Sequence, residues 1–258
     1  MTDTRELFDL TGETALVTGS SRGIGAVLAR GLAEAGASVL LTARDDARLQ
    51  AAADELRDVA RTPVHAVAFD VTDEADVARG LRELRELAGD PTILVNNAGV
   101  QHRQPITELA PADWQRVLDT NLTSAYLVAR EVAPAMVRAS RGKILNVCSV
   151  QTTLARPGLS AYAASKAGLA MLTQVMCAEW AASGVQANAL APGYVETELT
   201  APLVGDPEFD AWIRGRTPAG RWGQPGDLVG AAVFLVSRAS DFVNGQVLTV
   251  DGGLTAVV

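Results

Sequence analysis

The chain has 258 residues, which suits one α/β unit with a large core and calls for no second domain. Its formal net charge is −8, and no basic stretch interrupts the mixed surface, which argues against nucleic acid or an anionic membrane as partner and for small-molecule chemistry. Cys148 and Cys177 lie in apolar segments without a CxxC or His-rich neighbourhood, so neither a disulfide framework nor a metal site is expected.

The N-terminal residues 1–12 are polar and acidic, and an apolar run such as Val229 to Val236 is too short to cross a bilayer. The expectation is a soluble, cytoplasmic protein. Short β-branched runs near 14–18, 38–42, 64–68, 93–96, 143–147, 185–190 and 246–250 alternate with Ala/Leu-rich amphipathic stretches. This rhythm predicts a single Rossmann-type, doubly wound parallel sheet of seven strands, with helices on both faces and ligands at the carboxyl ends of the strands. One domain should span 1–258.

In chain order, the first strand runs into Gly19-Ser20-Ser21-Arg22-Gly23-Ile24-Gly25, a glycine-rich turn that opens a helix. Glycines there let the backbone turn tightly and bring free N–H groups and a helix dipole close to a pyrophosphate. The spacing is G-x-x-x-G-x-G, not the commoner G-x-G-x-x-G. The second strand ends in Ala43-Arg44, with no carboxylate in place to contact a ribose hydroxyl. Arg44, helped by Arg22, can clamp a 2′-phosphate, which favours NADP(H) over NAD(H) as cofactor.

The third strand leads to Asp70-Val71 and the fourth to Asn96-Asn97-Ala98-Gly99. A helix is predicted over 111–140, containing Asn121. Beyond the fifth strand stands Ser149, followed thirteen residues on by Tyr162 and four later by Lys166, one of only two lysines in the chain. Tyr and Lys four apart share one face of a helix, predicted over 161–183, so the ammonium sits near the phenol. A nearby cation favours the phenolate and should pull the tyrosine below its ordinary value of about 10, making a usable base near neutral pH. The sixth strand leads to Pro192-Gly193-Tyr194-Val195 and Thr197, which begin a long insertion, 193–224, carrying Pro202, Pro207 and Pro218. An insertion of this kind is expected to act as a lid.

The glycine loop, Asn96-Asn97-Ala98-Gly99, Ser149 and Tyr162-x-x-x-Lys166, in this order, resemble the short-chain dehydrogenase/reductase family over essentially the whole chain. The resemblance implies a catalytic set of Asn121, Ser149, Tyr162 and Lys166. Asn121 would kink a long helix and hold a water of the proton relay, Asp70 would contact adenine, and Pro192-Gly193 with Thr197 would embrace the nicotinamide. Tyr162 and Lys166 would also meet the cofactor. The expected reaction is proton abstraction from a secondary alcohol by Tyr162 while hydride leaves the same carbon, with Ser149 bonding the alkoxide-like oxygen.

Within the family, the runs Gly99-Val100-Gln101-His102-Arg103-Gln104-Pro105 and Asn146-Val147-Cys148-Ser149-Val150-Gln151 are similar to those of gluconate 5-dehydrogenases. That resemblance implies interconversion of D-gluconate and 5-dehydro-D-gluconate. Arg103 could then bind the carboxylate, and Gln151 and Tyr194 the sugar hydroxyls, with His102 and Arg156 as weaker candidates. Alternatives are a 3-oxoacyl-carrier-protein reductase, a reductase of another small ketone, or a dinucleotide sensor without turnover. By resemblance the protein should be a homotetramer packed through the helices at 111–140 and 161–183.

Overall fold

The computed structural model describes residues 3–258, so the part of the N-terminal reading that falls on Met1 and Thr2 lies outside the described residues. Seven strands form one parallel sheet: β1 (Thr14–Thr18), β2 (Ser38–Thr42), β3 (Val64–Ala66), β4 (Ile93–Asn96), β5 (Gly142–Val147), β6 (Val185–Pro192) and β7 (Val247–Val250). Their order in space is β3-β2-β1-β4-β5-β6-β7. The chain winds outward from β1 to β3, then returns to place β4 against the free side of β1. A crevice opens at that switch, above the carboxyl ends of β1 and β4.

The helices are α1 (Thr4–Leu7), α2 (Gly23–Glu34), α3 (Asp46–Arg57), α4 (Glu74–Ala88), α5 (Pro111–Leu118), α6 (Ser124–Arg138), α7 (Ser160–Trp180), α8 (Ala201–Val204), α9 (Pro207–Arg216) and α10 (Val229–Val236). Alternate strand residues point to opposite faces, and both faces are apolar. Ala15, Val17, Val39, Leu41, Ile93 and Val95 pack under α2, α3 and α10. Leu16, Leu40, Leu94 and Ile144 meet Val77, Leu81 and Leu84 of α4, Val128 and Val132 of α6 and Met176 of α7. Burial on both sides is why these strands read as continuous apolar runs and not as alternating ones.

Three boundaries differ most from the sequence expectation, and α7 also stops at Trp180, with a 3-10 turn over Ala181–Ser183 where the helix was expected to run on. β3 stops at Ala66, although Val67 and Phe69 still donate backbone bonds to Leu41 and Ala43 along the sheet edge. β6 extends to Pro192, paired with Val250. The helix expected at 111–140 is interrupted at Asp119–Thr123 by one π-helical turn, which separates α5 from α6. In the 193–224 insertion α8 and α9 are folded back, and its two ends meet in a bridge between Val195 and Gly223. Tyr194, Phe209, Trp212 and Trp222 form an aromatic cluster within it, of which Trp222 is buried and Trp212 exposed.

Candidate active site

A cleft of about 890 Å³ follows the carboxyl edge of the sheet and is lined by the site residues named from the sequence, apart from Asn96, His102, Asn121 and Arg156. Local sequence explains its floor. Gly19 has φ +64°, and a side chain on Gly25 would come within 2.4 Å of the Gly19 carbonyl and the Asn97 amide. Only glycine lets the loop lie this close to β4. Arg22 provides no side-chain cap to α2, so its first N–H groups remain available to an anion.

Thr18 fastens this loop to the Asn-Asn-Ala-Gly segment. Its hydroxyl accepts from the amides of Asn97 and Ala98, both at 3.0 Å, while the Asn97 side chain donates to the carbonyls of Thr18 and Gly19. Asn96 instead turns into the sheet and donates to Asn146 at 2.9 Å. Behind the cleft, buried Asn121 in the π turn grips the backbone of Val100 from both sides: Oδ1 accepts from its N–H at 2.7 Å, and Nδ2 donates to its carbonyl at 2.9 Å. Nδ2 also donates to Ser165, whose hydroxyl in turn donates to the Tyr162 carbonyl. Asn121 thus ties the loop after β4 to the first turn of α7. Thr18 and Ser165 were not singled out from sequence, because single hydroxyls carry no pattern until the fold brings their partners near.

Tyr162 and Lys166 do share one face of α7, with the ammonium 5.8 Å from the phenol ring centre. Burial pushes the Tyr162 phenol above its ordinary value, opposed by a hydrogen bond with Ser149 and the positive charge of Arg103. Burial also pushes Lys166 down. The expected lowering of Tyr162 by Lys166 is therefore not found in the protein by itself. The ammonium is committed to the Val147 carbonyl at 2.6 Å, and loss of solvent outweighs the charge effect.

At the other end of the cleft Arg44 follows β2, with Nη1 3.9 Å from Asp70. Asp70 accepts from the Thr72 N–H and hydroxyl, and Val71 is buried beside it. Arg22 and a third guanidinium, Arg48 in the first turn of α3, complete a basic corner. Arg48 was missed in the sequence; its only signal is its place four residues after Arg44. Open amides at a helix start, a glycine floor and this corner together fit a phosphorylated dinucleotide.

The family model described as Enoyl-(Acyl carrier protein) reductase matches residues 19–255. The chain belongs to the short-chain dehydrogenase/reductase family. It is 50% identical over 250 residues to the gluconate 5-dehydrogenase of Gluconobacter oxydans, covering 97% of each chain. It is 44% identical to the 5-keto-D-gluconate 5-reductase of Escherichia coli, covering 98% of this chain and 99% of that one. A crystal structure of a gluconate 5-dehydrogenase from Burkholderia cenocepacia, in complex with NADP and tartrate, is 50% identical and superposes with a TM-score of 0.96 over 99% of this chain and 100% of that one.

On this short-chain dehydrogenase/reductase scaffold, the mouth of the cleft near Tyr162 carries Arg103, Gln151 and Tyr194. Arg103 bonds Gln101 at 2.9 and 3.0 Å, and burial and neighbouring Arg156 push its guanidinium down. Arg156 donates to the Tyr194 hydroxyl at 3.4 Å and lies 4.2 Å over the ring of Phe209. Among the described residues neither guanidinium has a carboxylate partner. Gln151 is 7% exposed, and its Oε1 has no partner. His102 turns away, to Gln104 and Arg116.

Proposed function

We propose that the protein is an NADP(H)-dependent oxidoreductase that interconverts D-gluconate and 5-dehydro-D-gluconate. The observation that carries the substrate is Arg103, without a carboxylate partner at the mouth of the cleft and near enough to act on Tyr162, with a second unpartnered guanidinium, Arg156, beside it. A sugar acid supplies the missing carboxylate, and an Arg–carboxylate fork is both strong and directional. Gln151 supplies an unpaired acceptor for a sugar hydroxyl.

A bound nicotinamide would supply the hydride acceptor for oxidation of the carbinol carbon and the hydride donor for the reverse reaction. Tyr162 takes the hydroxyl proton in oxidation and gives it back in reduction. Ser149 donates to the oxygen as negative charge develops, a preorganised contact that acts mainly in the transition state. Lys166 presents a buried ammonium to the ribose side of the cleft, and Asn121 fixes the loop and helix that flank it. Arg22 and Arg44 would hold the 2′-phosphate, and the open start of α2 would hold the pyrophosphate.

Residues 193–224 are proposed to be the lid over this site, within a single domain of 1–258. We also read the protein as a homotetramer in the cytoplasm. Exposed Tyr126 on α6 and Met171 and Val175 on α7 support the assembly, and no helix among the described residues is long and apolar enough to cross a membrane.

The test is initial-rate nicotinamide absorbance with 5-ketogluconate, run with NADPH and with NADH, for the wild type and Arg103→Met. The expected result is turnover that is faster with NADPH, and a KM for the sugar acid raised about 10- to 100-fold in the variant with kcat changed far less. Turnover of a neutral cyclic ketone or a carrier-protein thioester without turnover of 5-ketogluconate would keep the chemistry and refute the substrate.

A further inference from the structure

Glu198 belongs to the 193–224 segment, yet its carboxylate reaches across the cleft into the basic corner. Its Oε2 meets Nη1 of Arg22 at 2.5 Å, and its Oε1 pairs with Nη2 of Arg48. The two partners come from the glycine loop and from the first turn of α3, so one side chain joins the insertion to both elements of the nucleotide half. The Arg22 hydrogen bond and the charge of both arginines hold the Glu198 carboxyl below the usual carboxylate range. Arg44, the third guanidinium, is left to Asp70.

A carboxylate and a phosphate monoester satisfy the same guanidinium fork. On the NADP(H) reading above, from which this inference departs, Glu198 occupies donors that a 2′-phosphate would use. We propose that Glu198 is a latch that competes with the 2′-phosphate for Arg22 and Arg48, so that the phosphorylated dinucleotide releases the segment from the glycine loop and the unphosphorylated one does not. Arg48 is then a third arm of the phosphate site, and Glu198 sets how strongly the site prefers NADP over NAD. A latch closed most of the time weakens the apparent affinity by the fraction of molecules in which it is open.

The full chain, as wild type, Glu198→Gln and Arg48→Met, is titrated calorimetrically with 2′,5′-ADP and with 5′-AMP. Amide hydrogen exchange is followed over 196–216. The expected result is preference of the wild type for 2′,5′-ADP, a further gain of about three- to tenfold for 2′,5′-ADP in Glu198→Gln with 5′-AMP held within about twofold, and loss of that preference in Arg48→Met. Exchange in the segment should rise in Glu198→Gln, and in the wild type with 2′,5′-ADP but not with 5′-AMP. Unchanged or weaker binding of 2′,5′-ADP by Glu198→Gln would overturn the latch, because the carboxylate would then be positioning the arginines and not competing for them. Equal binding of both nucleotides by the wild type would overturn the NADP reading as well, which separates the two failures.

Discussion

At the scale of single residues, the site holds its acid and base in tension with the fold. Burial raises Tyr162 and lowers Lys166. A raised phenol keeps its proton more firmly in the folded chain, so its contribution to stability is present below the ordinary value of about 10 and is lost as pH climbs through the folded value. A lowered ammonium works the other way: its charge is a cost to folding below the folded value, and that cost is relieved above it. Lys166→Met should therefore remove a charge that costs stability at neutral pH, against about 1 kcal/mol for the bond lost by the Val147 carbonyl. The expected outcome is a Tm equal to or a few degrees above that of the wild type, with kcat/KM down by about 10²- to 10⁴-fold. A large fall in Tm would contradict the account of Lys166 as a buried cost. For oxidation, the base form of Tyr162 is the active one, so kcat/KM for gluconate should keep rising from about pH 7 to about pH 9 without a plateau. A profile flat from neutral pH upward would mean that the phenol is lowered in the working complex. Tyr162 and Lys166 were legible in the sequence because their partnership is a four-residue step along one helix. The contact of Arg48 with Glu198 was not, because 150 residues separate them and only the sheet edge brings them together.

At the scale of elements, sequence pattern placed the seven strands because each carries its own apolar run, and misjudged ends where a hydrogen-bonding partner, not the run, decides. β6 lasts to Pro192 because β7 is there to pair with it, and β3 ends at Ala66 on the open edge of the sheet. The π turn at Asp119–Thr123 was implied by resemblance at Asn121 and by nothing in the local propensities, since it exists to aim one amide at Val100. Helix contacts are equally specific. A methyl group on Gly31 of α2 would stand 2.4 Å from Cγ1 of Val229, the first residue of α10. Gly31→Ala should cost about 1–3 kcal/mol in denaturant unfolding, because the two helices must part to admit it. Adding Val229→Ala should recover most of that loss. Additive losses in the double variant would place the strain elsewhere.

At the scale of the whole molecule, the parallel sheet was legible from the alternation of strand and helix, and its switch between β1 and β4 explains why motifs scattered from Gly19 to Thr197 meet in one cleft. What the sequence could not display is which outer faces are left without cover. Met171 and Val175 are one turn apart on α7 and are 59% and 44% exposed, and Tyr126 on α6 is 47% exposed. Apolar side chains four apart form a stripe on one helix face, and such a stripe is stabilised by burial against another surface. A second copy of the same helix offers that surface by symmetry. On the homotetramer proposed above, to which this seam would contribute one pairing, sedimentation velocity at about micromolar concentration should show four copies for the wild type. A carboxylate placed in a desolvated apolar seam costs several kcal/mol, so Met171→Asp should yield smaller species with an unaltered circular dichroism spectrum. A wild type that sediments as a monomer at the same concentration would overturn the assembly and leave the stripe free for another partner.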